Sequence, residues 1–142
     1  MKLYPHRAVV PKELWTSLYA KATRHFDLVV YAGFWLSEDP LFFRLIREKA
    51  QADVRAAHVG RSRQSRGGPA RRRRGYNSLY RADDDLLVNG HVYGVGAYLA
   101  PVLHLSQVPG GELFSTYAAS IERIWEGSRT LTSPQLENEA AV

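Results

Sequence analysis

The apolar positions of this chain change period several times, and each change marks an element. Leu14, Trp15, Leu18, Tyr19 and Ala22 recur at the i, i+1, i+4, i+5, i+8 spacing of one helix face, with Pro11 just ahead of them. The spacing predicts a helix from about Lys12 to Arg24. Asp27 to Phe34, DLVVYAGF, is a continuous β-branched and aromatic run of strand length, the pattern of a strand buried on both faces. Gly33 and the polar Ser37, Glu38 and Asp39 end it. Asp39 followed by Pro40 is a helix-start signature, because aspartate accepts orphan N–H bonds and proline has no N–H to leave unpaired. The helix that follows places Leu41, Phe42, Leu45 and Ile46 on one face and runs to about Ala52. Val54 to Val59 predicts a second strand. Strand, helix and strand with a crossover of that length make a βαβ unit with the two strands parallel.

The second half is organised around Tyr76 to Gly94, YNSLYRADDDLLVNGHVYG. It predicts a hairpin of two short strands, Asn77 to Ala82 and Leu86 to Tyr93, around an acidic turn. Alternation puts Asn77, Leu79 and Arg81 on one face and Ser78 and Tyr80 on the other, while Asn89, His91 and Tyr93 share a face of the second strand. Gly94–Val95–Gly96 lacks the third glycine of a dinucleotide loop and marks a bend. Tyr98 to Leu105 predicts another strand, containing His104, and Pro109–Gly110–Gly111 breaks it. Phe114, Tyr117, Ala118, Ile121, Ile124 and Trp125 then form the clearest helical stripe in the chain, from Glu112 to about Glu126, with Gly127 as its stop. The polar residues 128–142 predict a disordered tail. No internal repeat is present.

The expected fold is therefore an α/β domain over residues 1–127, a mixed sheet of about five strands flanked by helices. A length of 142 residues with 45% hydrophobic content fills one core and no more. The absence of cysteine excludes disulfides, thiolate metal sites and a cysteine nucleophile. No signal peptide or membrane-length apolar run is visible, so the expectation is a cytoplasmic protein with no membrane partner. Charge changes the picture only when it is localised. Residues 61–74, RSRQSRGGPARRRR, hold seven arginines and no acid, and without them the formal net charge falls from +5 to −2. The basic character belongs to one flexible loop, at about 61–75, and not to the domain.

Three kinds of chemistry can be weighed. Arg61, Arg63, Arg66, Arg71, Arg72, Arg73 and Arg74 form a basic arm suited to nucleic-acid phosphates, although residues 61–74 contain no aromatic for base stacking. The five histidines form no helical i, i+4 pair, and three consecutive aspartates, Asp83, Asp84 and Asp85, rarely point at one cation, so neither metal nor cofactor is expected. Ser78, His91 and an aspartate make a hydrolytic triad on paper, but no Gly-x-Ser-x-Gly elbow surrounds Ser78. There remains a ligand site on the hairpin, made of Asn77, Tyr80, Arg81, Asp84, Asn89, His91 and Tyr93, with Tyr31, Phe34 and Trp35 as further lining. The ends of sheet strands are the usual place for such a site in open α/β folds.

Four blocks, YPHRAVVPKELW, DLVVYAGFWLSEDP, YNSLYRADDDLLVNGHVYG and APVLHLSQVPGGELFSTYAASIERIW, resemble in order a domain at the C-terminus of actinobacterial helix-turn-helix (XRE-type) transcriptional regulators. That domain is similar to one half of the phospholipase D-like fold, whose enzymes carry a His-x-Lys-x4-Asp motif. Laid on this chain, the motif falls on Asn77, Leu79 and Asp84, and only the aspartate fits. An amide nitrogen cannot act as the nucleophile and leucine cannot hold phosphate as a cation, so these replacements argue against phospholipase D chemistry. The match begins almost at Met1, so no DNA-binding domain is expected ahead of it. The arginine run stands where the family has a longer, mixed stretch. The resemblance implies a non-catalytic sensory or regulatory domain that binds a small-molecule or protein effector and pairs as a homodimer. The first alternative is a nucleic-acid-binding accessory protein acting through the arginine arm, and the second, less favoured, is a phosphodiesterase of the phospholipase D-like superfamily.

Overall fold

The structure, a computed structural model, describes residues 1–30, 44–45, 47–49, 55–60 and 77–127. Its centre is a six-stranded sheet of β1 (Lys2–Tyr4), β2 (His25–Val30), β3 (Arg55–Gly60), β4 (Asn77–Ala82), β5 (Asp85–Gly90) and β6 (Val102–Ser106). The strands lie in the order β1-β6-β5-β4-β2-β3. β2 and β3 are parallel and every other pair is antiparallel, so the sheet is mixed, as the βαβ pattern implies. The strand missing from the sequence reading is β1. Three residues are too few to show a period, and only the pairing of Leu3 with Leu103 on β6 makes them a strand.

Two helices cover the two faces. α1 (Lys12–Lys21) brings Trp15, Leu18 and Tyr19 onto Phe26, Leu28, Tyr80, Leu87 and Val102. α2 (Glu112–Glu126) brings Phe114 and Ile121 onto Leu79, Leu86, Val88 and Leu105. Alternation along β4 and β5 follows from this: Ser78, Tyr80, Leu87 and Asn89 face α1, and Leu79, Arg81, Leu86 and Val88 face α2. β2 is buried on both faces, with Phe26 and Leu28 towards α1 and Asp27 and Val29 towards α2. Helical residues 44, 45 and 47–49 fall within the helix expected after Pro40. There the Lys49 ammonium donates to the carbonyls of Ala20 (2.8 Å) and Ala22 (2.6 Å), satisfying acceptors that the end of α1 leaves open. The rest of that helix, residues 31–34 of the expected β2, the arginine-rich segment and the tail lie outside the described residues. Among the described residues no helix is long and apolar enough to cross a membrane.

Several boundaries differ from the sequence reading, each for a local reason. α1 stops at Lys21, not Arg24, because Asp83 in the hairpin turn captures the backbone beyond it. Its carboxylate accepts the N–H groups of Thr23 (2.9 Å), Arg24 (2.7 Å) and His25 (2.8 Å) and the Thr23 hydroxyl (3.1 Å). β5 stops at Gly90, not Tyr93, because Val95 N–H turns back onto the Val92 carbonyl and Gly94 takes a φ of +76°. β6 starts at Val102, because Pro101 has no N–H to give to a ladder and residues 96–100 close into turns.

Asp83 itself adopts φ +49°, a conformation that aspartate and asparagine accept more readily than most residues. Burial raises its pKa, but the three N–H groups and the hydroxyl outweigh that and bring it from 3.8 down to about 2. A depressed carboxyl pKa means that Asp83 contributes its full stability above its unfolded value and loses it as the pH falls towards 2. Asp83→Asn, which turns one accepting oxygen into a donor, is expected to cost about 2 kcal/mol at neutral pH, a figure already reduced for solvent screening at this exposed turn. Urea unfolding checks it: the gap between wild type and variant closes as the pH falls from about 4 to 2, and a gap independent of pH contradicts the assignment.

Candidate functional site

The strand register gathers several chain segments at one end of the sheet. β2 and β3 run parallel and finish at Val30 and Gly60, and the pairing of Val29 with Leu79 sets the start of β4 beside them. Ser78 pairs with Asn89, Asn89 with Val102, and Val102 with Tyr4. The carboxyl ends of the parallel strands, the open end of the hairpin and the turn at Arg7–Val9 therefore share one rim, where open α/β sheets bind ligands.

At this rim, on the α1 face, stands a polar cluster. Ser78 and Asn89 are fully buried, and the Ser78 hydroxyl lies 3.2 Å from His91 Nε2. The Asn89 amide nitrogen donates to the carbonyls of Ala100 (3.4 Å) and Pro101 (3.2 Å). Both partners are acceptors, so the nitrogen has to face them and the amide orientation is settled. Asn89 Oδ1 is then left buried with no hydrogen-bond partner among the described residues. Burial, and next the charge of Arg7, hold the His91 pKa below its ordinary 6.5, so the ring is neutral at neutral pH. Arg7 reaches this place through the backbone: its N–H donates to the Ala100 carbonyl at 2.9 Å.

No family model, curated protein or solved structure matches the chain.

The site must therefore be read from its own geometry. The hairpin carries Asn89 and His91 to one rim and one face, as their shared face predicts, and adds Ser78. It does not bring the other nominated residues there. Asn77 starts β4 at the same rim but on the opposite face, next to Gly90. Tyr80 is fully buried against Trp15. Arg81 lies on the α2 face and pairs with Glu122 at 2.8 Å and Asp27 at 3.7 Å. Asp84 sits at the far end of the hairpin, 2.6 Å from Arg24. There it lines an open groove of about 1080 Å³ with the Gln107–Gly111 loop and the start of α2. Tyr93 is wholly exposed in the loop after β5. The seven arginines, and Tyr31, Phe34 and Trp35, lie outside the described residues.

The Ser78–His91 contact is the nucleophile-and-base half of a triad, yet hydrolysis does not follow. The hairpin aspartates sit four or more residues along the ladder from the Ser78–Asn89 pair, about 13 Å or farther, so none of them completes a triad. Among the described residues no group of three His, Asp or Glu could hold a metal. What the cluster can do is recognise: a neutral imidazole, a hydroxyl and an amide oxygen that lacks a donor present hydrogen-bonding groups without fixed charge. Arg7 is the neighbour that sequence reasoning missed. A lone arginine in an opening segment carries no periodic signal, and only its backbone bond to Ala100 brings it here.

Proposed function

We propose that the chain is a non-catalytic sensory or regulatory domain, of the kind its sequence resembles, and that its effector binds at the rim formed by Ser78, Asn89 and His91. The single observation behind this reading is the buried Asn89 Oδ1. A buried acceptor with no partner costs about 1–3 kcal/mol, and an arriving N–H or O–H donor recovers that energy. The phospholipase D-like half-fold belongs to the same reading and is supported by the mixed sheet with a helix on each face. So does the homodimer. β1, a three-residue edge strand with Leu3 exposed, offers a second copy an unpaired ladder.

The test is a thermal-shift screen of the full chain against small polar metabolites, each hit repeated on Asn89→Ala and His91→Gln. A true effector raises the wild-type midpoint by several degrees and shifts neither variant. Hits that act equally on all three proteins, or a screen without hits, remove the reading.

A second reading, nucleic-acid binding through the arginine arm, is favoured by connectivity. Residues 61–76 leave β3 at Gly60 and return to β4 at Asn77, and both attachment points lie at the rim, on either side of β2. The two attachment points stand about two strand spacings of sheet, roughly 10 Å, apart, and the sequence between them holds the seven arginines.

A further inference from the structure

Asn89 and Gly90 end β5, and together they carry a reactivity that their folded setting suppresses. The chain has three asparagines, Asn77, Asn89 and Asn138, and only Asn89 precedes a glycine. Such a pair is chemically labile. When the Gly90 nitrogen attacks Asn89 Cγ, an N–C bond forms, the nitrogen loses its proton, and the Cγ–Nδ2 bond breaks with release of ammonia. Water then opens the succinimide ring at either carbonyl and leaves aspartate or isoaspartate. Glycine makes the attack easiest, because it has no Cβ to shield its nitrogen and the widest choice of backbone angles.

The fold blocks each requirement of this step. The Gly90 N–H donates to the Pro101 carbonyl at 3.0 Å, so the attacking nitrogen is engaged. The amide that has to leave is engaged as well, since Asn89 Nδ2 donates to the carbonyls of Ala100 (3.4 Å) and Pro101 (3.2 Å) from a fully buried side chain. Asn89 is paired on both sides, with Ser78 on β4 and Val102 on β6. That pairing keeps its backbone extended and its Cγ on one face of the sheet, away from the next nitrogen along the strand. Ring closure needs the backbone to turn out of the strand. Nothing local demands the glycine: its φ is not in the left-handed region, and a Cβ there would meet Pro101 Cγ at 3.8 Å and Asn77 Oδ1 at 3.9 Å, ordinary contacts.

The product does not fit the place it came from. Aspartate at 89 turns carboxylate oxygens towards the Ala100 and Pro101 carbonyls, where a donor is required, and buries them there. Isoaspartate adds an atom to the backbone and breaks the register of β5 with both neighbours. Conversion is therefore one-way.

We infer that Asn89 is a self-modification site gated by folding: the paired β4–β5–β6 rim preserves it, and sustained opening of that rim converts it by deamidation and prevents the rim from closing again. The inference needs no effector and stands apart from the ligand reading above.

The experiment incubates the full chain in mildly alkaline buffer with and without denaturing urea and follows conversion at each asparagine by peptide mass spectrometry. In urea, Asn89 is expected to convert faster than Asn77 and Asn138. In native buffer it is expected to convert at least about tenfold more slowly than in urea, because only the open fraction of molecules reacts. Gly90→Ala, which the contacts above accommodate, is expected to slow the conversion in urea to the pace of Asn77. Equal rates at Asn89 with and without urea overturn the gating, and a rate in urea no faster than that of Asn77 overturns the site itself. Asn89→Asp tests the one-way step: it is expected to unfold at a lower urea concentration than wild type, and an equal midpoint overturns that part of the inference.

Discussion

Arg81→Met is expected to lower the unfolding free energy by about 3–5 kcal/mol, the largest effect of any single charge removal here. Asp27 is fully buried and Arg81 nearly so, and the two are cross-strand partners on the α2 face. The same guanidinium donates to Glu122 on α2 at 2.8 Å, and its Nε donates to the Asp83 carbonyl at 3.2 Å. Its carbon centre stands 5.9 Å from the Phe114 ring. One side chain thus ties β2, the hairpin turn and α2 together. Methionine fills the space but removes the cation facing a buried carboxylate. Asp27→Asn added to Arg81→Met is expected to restore part of the loss, because an amide carries no charge that needs a counter-ion. Urea unfolding of the two single variants and the double variant measures this. A cost below about 1 kcal/mol for Arg81→Met, or costs that simply add in the double variant, contradicts the buried network.

Tyr80→Ala is expected to cost about 3–5 kcal/mol. The ring is fully buried and meets Trp15 edge-on, with centroids 4.9 Å apart and planes at 80°. Trp15 in turn lies 6.3 Å from Tyr19, which meets Phe26 edge-on at 4.9 Å. This row of rings fixes α1 to the sheet, and removing the β4 ring at its end leaves a cavity between two elements. Edge-on pairs add about 0.5–1.5 kcal/mol beyond area burial, so a double-mutant cycle with Trp15→Leu should show coupling of that size. A loss under about 1 kcal/mol, or zero coupling, tells against this packing. Against a typical total of 5–15 kcal/mol, either variant leaves the domain marginal. Both residues also belong to the ligand site expected from the hairpin sequence, which makes the measurements decisive for roles. A ligand contact would show as lost binding in a stable protein, and a core contact shows as lost stability.

The nominated site illustrates how far pattern reaches. Alternation correctly separated Asn77, Leu79 and Arg81 from Ser78 and Tyr80, because a two-residue period is a property of the extended backbone. It could not say which face is covered by which helix, nor that both are covered, so Tyr80 and Arg81 looked as available as His91. Their burial depends on α1 and α2, which lie more than 30 residues away in either direction along much of their length. Asp83 shows the same limit in another form. As part of an acidic turn it has an ordinary explanation, but its four partners come from Thr23, Arg24 and His25, a segment sixty residues earlier.

Local periodicity alone determined the existence and type of nearly every described element: α1, β2, the parallel β3, the hairpin and α2, each long enough to repeat its pattern. It also located the charge of the chain in one fourteen-residue stretch. Everything that depends on two distant segments meeting needed the folded chain. The short strand β1, the Arg7 neighbour of His91, the unpartnered oxygen of Asn89 and the shared rim of the arginine attachment points are of this kind. The physical reason is that a residue's period is written in its near neighbours, whereas its burial, partners and charge environment are set by strand register and helix packing across the whole domain.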